Sequence, residues 1–128
     1  MSDKIKIGNL IFDTLVAITE KDHSIGLMWK KTAQIMSFPY DKPNIHKFWM
    51  QNTYIALDIL FCYSGKIVDI QKGIPHSVDL LGPDDLTDLV IELPQGTVNK
   101  YNIAIGNNVD LKYSLSTLGK KYAEKLNI

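Results

Sequence analysis

A single carboxylate, Asp58, interrupts the apolar run Leu57-Asp58-Ile59-Leu60-Phe61. An acid in such a run is costly unless it is paired, hydrogen-bonded or exposed. Just upstream, Phe48-Trp49-Met50 runs into the polar corner Gln51-Asn52-Thr53. Three roles are open to Asp58. It can anchor the corner by accepting from backbone N–H groups or from Asn52 and Thr53. It can hold a ligand. It can act as an acid or base. Trp49 is either core or a flat platform for a sugar or other ring. With His76, which sits in a loop beside a strand, these residues form a candidate pocket: Trp49, Asn52, Thr53, Asp58 and His76.

Other chemistry-bearing residues are scattered. With Ser64-Gly65 as the centre of a two-residue turn, Asp58 falls opposite Gln71, Leu60 opposite Asp69 and Cys62 opposite Ile67. Asp58 and Asp69 then share a face as diagonal neighbours, ~7–8 Å apart. Carboxylates so spaced can share a proton, hold a cation or flank a polar substrate. The alternation of Ile91-Glu92-Leu93 turns Glu92 away from its apolar neighbours. His46 and His76 lack the HxH, HxxxH or HExxH spacings of a metal site, and no metal or other cofactor is expected. His23 reads as a solvated helix residue. Cys62 reads as an inert small hydrophobe. No P-loop, GxGxxG, GxSxG or EF-hand pattern is present.

The elements that must position these residues are mostly strands. Ile5 and Ile7 alternate with lysines, and Gly8-Asn9 signals a hairpin into a longer strand, Leu10 to Ile18. Thr19 and Asp22 have capping-box spacing, which starts a short helix over Glu20 to Trp29. Residues 37 to 47, with Pro39 and Pro43, read as an irregular loop. Strands are expected at 46–51, 56–63, 66–72, 88–93 and 100–105, separated by glycine- and proline-rich turns. After Ser114, Leu115, Leu118, Tyr122 and Leu126 recur at helical steps, giving an amphipathic helix. The expected fold is mainly β: a single-domain antiparallel β-sandwich or barrel-like fold, with a short helix after the second strand and a short C-terminal helix. Residues 1–113 form the β domain, and 114–128 a helical tail packed on it.

Composition narrows the partners. The 128 residues are 45% hydrophobic and 22% charged, as for a folded globule. Fourteen basic residues balance fourteen acids, and every basic one is lysine. Lysine cannot reproduce the bidentate fork of arginine, and no basic cluster exists. Nucleic acid is therefore not the expected partner. Arginine-free usage rich in Ile, Asn, Lys and Tyr fits coding by an AT-rich genome, viral genomes included. One cysteine permits no internal disulfide. The start MSDKIKIGN has no apolar signal region, and no run approaches the ~20 apolar residues of a membrane helix. A cytoplasmic location is the expectation.

Several segments in order resemble the widespread uncharacterised family known as domain of unknown function 192. They are Ala17-Ile18-Thr19, Ile25-Gly26-Leu27-Met28, Phe48 to Thr53, Leu57 to Phe61, Gly65-Lys66-Ile67-Val68, Ile91 to Gly96 and Ile105 to Val109. The resemblance spans about residues 5 to 111 and rests chiefly on the FWMxNT and LDxLF pair. It implies a β-sandwich domain with a short helix after the second strand, and it brings no reaction. The chain departs from the family at Gln34-Ile35-Met36-Ser37-Phe38, where relatives carry a glycine-led GMLF segment. It also lacks the cysteines many relatives place near Ile74-Pro75-His76-Ser77, and the signal common among secreted relatives.

Three functions follow from these residues. The leading one is a small non-catalytic binding domain taking a small polar, sugar-like ligand in the candidate pocket. The second is a hydrolase- or lyase-type enzyme using Asp58 with a histidine or a second carboxylate. The third is a structural or protein-interaction module using the C-terminal helix or an open sheet edge. Oligomeric state is left open by the sequence.

Overall fold

The computed structural model describes residues 3–126. Two sheets stack face to face. The smaller has strand order β2-β1-β8, built from β1 (Lys4–Ile7), β2 (Leu10–Asp13) and β8 (Val109–Lys112). The larger has order β3-β4-β7-β5-β6, from β3 (Leu15–Val16), β4 (Met36–Asn44), β5 (Leu57–Tyr63), β6 (Lys66–Gly73) and β7 (Thr87–Pro94). Three helices complete it: α1 (Glu20–Ile25), α2 (Thr97–Tyr101) and α3 (Leu115–Lys125). The mainly β, sandwich-like expectation is met. No helix among the described residues is long and apolar enough to cross a membrane.

The large sheet is buried on both faces, which gives two cores. One joins Ile5 and Ile7 of the small sheet to Leu60, Cys62, Ile67, Ile91 and Leu93. The other packs Phe38, Leu57, Ile59, Phe61 and Val90 beneath Ala17, Leu27 and Met50. Every residue from Leu57 to Cys62 is buried, as befits a central strand between β6 and β7.

Local chemistry fixes several boundaries. The strand expected over Leu10 to Ile18 breaks at Thr14, whose hydroxyl meets the Ser37 hydroxyl at 2.8 Å. The chain thereby passes from the small sheet to the large one. The capping box forms: the Thr19 hydroxyl accepts from Asp22 N, and the Asp22 carboxylate accepts from Thr19 N. The helix stops at Ile25, short of the expected Trp29, because Gly26 adopts φ +51°.

Three expectations are corrected. Residues 36–44 are not a loop but the strand β4, antiparallel to β7 with a register shift between Pro39 and Asn44. Its other neighbour, β3, pairs only as far as Ser37, so the prolines sit where no second ladder needs their missing N–H. Residues 46–51 are not a strand and contribute a lone bridge, Phe48 to Leu81. Residues 100–105 are the end of α2 and a turn, and the last strand comes later, at β8. The C-terminal helix forms as expected. Ser114 caps it, and it docks through a Lys121–Asp41 ion pair at 2.7 Å and a Glu124 carboxylate accepting from Glu20 N.

Candidate functional site

The structure separates the sequence-derived candidates. Asp58 is 4% exposed and lies on the face of β5 turned toward Leu93, its partner on β7. Its Oδ2 accepts from Gly96 N at 3.1 Å and Val98 N at 3.0 Å. Those amides open α2, whose N-cap residue Gly96 supplies no side-chain cap. Asp58 therefore caps a helix from a neighbouring strand. The hollow beside it is only about 140 Å³ and is lined by Ile70, Lys72, Gln95 and Asn99 among others. Trp49, Asn52, Thr53 and His76 are not part of it.

The carboxylate pair read from the hairpin is not formed. Tyr63 does face Lys66 and Cys62 faces Ile67, but a bulge then shifts the register. Asp58 consequently pairs with Lys72, and Asp69 with Phe61. Asp58 and Asp69 point to opposite faces. Asp69 instead accepts from the Gln71 amide at 2.8 Å, and Gln71 accepts from Gly82 N at 2.9 Å. Together they tie down the loop before β7.

Trp49 and Thr53 line a different cleft, of about 240 Å³. It lies between the end of α1 with its following turn (His23 to Met28), β4 (Phe38, Tyr40), the segment Lys47 to Thr53, and Glu92 of β7. Trp49 is 46% exposed at its rim, and Thr53 is buried. Asn52 and His76 stand behind these walls. Asn52 adopts φ +56° and its carbonyl accepts from Trp29 N. His76 N donates to the Thr53 carbonyl, and its ring meets Tyr54 edge-on at 4.9 Å. Both hold Thr53 and its neighbours in place; neither lines the cleft.

Glu92 does face away from Ile91 and Leu93, as the alternation implies, but it lines a different hollow from Asp58. β7 is central, so facing away from Ile91 and Leu93 leads into the second core, not to water. Glu92 is 4% exposed and sits between Met36 and Ile59 on the flanking strands. No hydrogen bond or ion pair reaches its carboxyl from the described residues. Burial alone pushes its pKa from an ordinary 4.5 up to about 8. Gly26 gives the carboxyl its opening. A Cβ there would lie 3.2 Å from Phe38 Cζ and 3.8 Å from Glu92 Oε1.

Aromatic rings form the other walls. Phe38 and Phe48 meet edge-on at 5.1 Å. Tyr40 stacks on His46 at 3.4 Å and takes the edge of His23 at 4.9 Å. His23 is thus no solvated helix residue; burial holds its imidazole below the usual histidine value. Burial likewise lowers His46, whose Nε2 has no hydrogen-bond partner. Burial also raises the Tyr40 phenol, with a smaller push from Glu92. His23, Ser24 and Tyr40 border a second, larger groove of about 620 Å³ between α1, β4 and α3. No group of three His, Cys, Asp or Glu residues suited to a metal occurs among the described residues. Cys62 is buried and its thiol pKa is pushed up by burial, as for an inert thiol.

The family that the motifs pointed to matches residues 4–111: domain of unknown function 192, described as an uncharacterised ACR. The chain belongs to this family. No curated protein matches it. Two solved structures share the fold. A protein of unknown function from Novosphingobium aromaticivorans is 25% identical, with a TM-score of 0.78 over 84% of this chain and 83% of its own. A protein from Sinorhizobium meliloti described as a putative transcription regulator is also 25% identical, with a TM-score of 0.80 over 87% and 94%. The family match ends just before α3, so the larger groove has one wall outside the shared region.

The signal for Glu92 was present in the sequence. In Ile91-Glu92-Leu93 an acid stands between apolar residues, as Asp58 does in its strand. Only the strand order shows that one acid meets main-chain amides and the other an aromatic hollow.

Proposed function

We propose that the protein is a small non-catalytic binding domain, and that the Glu92 cleft receives a small polar ligand of sugar-like size. The observation that carries this reading is a glutamate only 4% exposed, with no protein partner among the described residues, whose carboxyl opens into a hollow lined by both aromatic and polar side chains. Polar groups converging in an apolar concavity are the usual form of a ligand site. At about 240 Å³ the hollow suits a single ring or a short chain. The half-exposed indole of Trp49 offers a rim platform.

The acid–base alternative drew on Asp58, but that residue's Oδ2 already serves two amides, and the small hollow beside it is lined by neither a histidine nor a second acid. Balanced charge without arginine favours a small ligand over a nucleic acid. The description of the Sinorhizobium neighbour is therefore not carried over to this chain.

The test is a thermal-shift screen of saccharides, nucleosides, amines and metal ions against the wild type, Trp49→Ala and Glu92→Gln. A ligand that raises the melting temperature of the wild type and not of the variants supports the cleft. A hit that acts equally on all three lies elsewhere and counts against it.

A further inference from the structure

We propose that the ligand of the Glu92 cleft carries an organic ammonium group, which pairs with the Glu92 carboxylate between aromatic walls. The inference rests on the binding reading above and specifies its chemistry.

The first argument is that Glu92 has no cationic partner among the described residues. Glu92 is flanked by Met36 and Ile59, and its carboxyl has no polar partner among the described residues. The nearby cations are committed or neutral. Lys47 lines the cleft, but its Nζ is held by the Gly82 carbonyl and the Asp84 carboxylate, each at 2.7 Å. His23, facing the cleft from α1, is kept toward its neutral form by burial. Tyr40, facing it from β4, keeps its phenol proton. Glu92 therefore rests largely as the neutral acid with no free cation beside it, and a cationic group entering the cleft meets no competitor for the carboxylate.

The second argument is the wall itself. Phe38, Tyr40, Phe48 and Trp49 are among the residues that line the hollow, Trp49 being the half-exposed one. Aromatic faces attract ammonium groups, and more strongly where water is excluded. An anionic ligand would meet a carboxyl and no free cation. The third argument is access. Gly26 has no side chain where one would abut both Phe38 and Glu92, so the approach to the carboxyl stays open.

The proton balance follows. With its pKa near 8, the carboxyl is only about one-tenth ionised at neutral pH. An ammonium ion entering the cleft favours the carboxylate, and the carboxyl proton leaves to solvent as the ion pair forms. Ionising a group already within about a pH unit of its midpoint costs little, so the new pair need recover only about a tenfold factor.

The experiment uses the full chain, with cyclohexylammonium, cyclohexanol and glucose as probes. Binding is followed by calorimetry in two buffers of different ionisation heat, and by the NMR shift of the Gly26 amide. Cyclohexylammonium is expected to bind at least about tenfold tighter than cyclohexanol and to release close to one proton near neutral pH. Glu92→Gln should abolish that preference, and Trp49→Ala should weaken the amine while leaving the core intact. Should Glu92→Gln fail to fold, wild-type proton release and Trp49→Ala still decide. If cyclohexanol or glucose binds as well as the amine, or no proton is released, the ammonium inference falls while the binding reading stands. If no probe moves the Gly26 amide, both fall.

Discussion

Glu92 should make the stability of this fold decline between acid and neutral pH. In the unfolded chain its carboxyl titrates near 4.5, and in the fold burial moves it to about 8. Between those values the unfolded chain sheds a proton that the folded chain keeps, so rising pH favours unfolding. The contribution is fully present below pH 4.5 and lost as the pH climbs to about 8. At ~1.4 kcal/mol per pH unit, that interval sets a ceiling of ~5 kcal/mol. Water entering the cleft and local relaxation reduce it, so ~2–4 kcal/mol is the expected size. His23 and His46, held low by burial, act in the opposite sense, since they oppose folding as the pH falls past the ordinary histidine value. Comparing the wild type with Glu92→Gln removes their effect, because both proteins retain them. The assay is urea unfolding followed by the fluorescence of Trp29 and Trp49, over pH 4.5 to 8. The variant should gain ~2–4 kcal/mol relative to the wild type across that range. Parallel pH profiles would refute the reasoning, for then the carboxyl is either solvated or already paired.

Three further outcomes are expected. Asp58→Ala leaves the Gly96 and Val98 amides without their acceptor and should cost ~2–4 kcal/mol in urea unfolding. Asp58→Asn should cost less, and an unchanged midpoint for Asp58→Ala would deny the capping role. Gly26→Ala meets both φ +51° and a 3.2 Å approach to Phe38. It should lower stability by ~1–2 kcal/mol and shrink the cleft, which a crystal structure of the variant would show. Cys62 is fully buried with a raised thiol pKa, so a thiol reagent should label it no faster than the protein unfolds; rapid labelling of the native protein would contradict this.

Much of the scaffold was legible because it rests on local rules. Glycine- and proline-rich turns bounded β5, β6 and β7, Gly8-Asn9 marked the first hairpin, and Thr19 with Asp22 marked the start of α1. Helical spacing after Ser114 marked α3. The errors came from long-range facts. Pro39 and Pro43 argued for a loop because nothing local shows that β3 leaves that side of β4 unpaired. The bulge in the β5–β6 hairpin moved Asp69 to the far face, and no residue type announces a bulge there. α2 begins where a carboxylate some forty positions earlier in the chain receives its amides, so its sequence alone did not read as a helix. For the cleft, the corner holding Trp49 and Thr53 was legible, and so was the turning of Glu92 away from its apolar neighbours, but not the meeting of the two. Asp58 and Glu92 look equivalent in sequence because each interrupts an apolar strand. They diverge only because Asp58 faces the core shared with the small sheet and Glu92 faces the one beneath α1.

The small sheet places β1 between a neighbour that follows at once and one that arrives last, with Lys4 beside Lys112. On the ribosome, Ile5 and Ile7 are therefore made early but must wait for Val109 and Leu111 before their edge is closed. Until then the growing chain carries an open strand capable of joining a second nascent chain, so the order of synthesis, as much as the finished architecture, decides how safely this protein is produced.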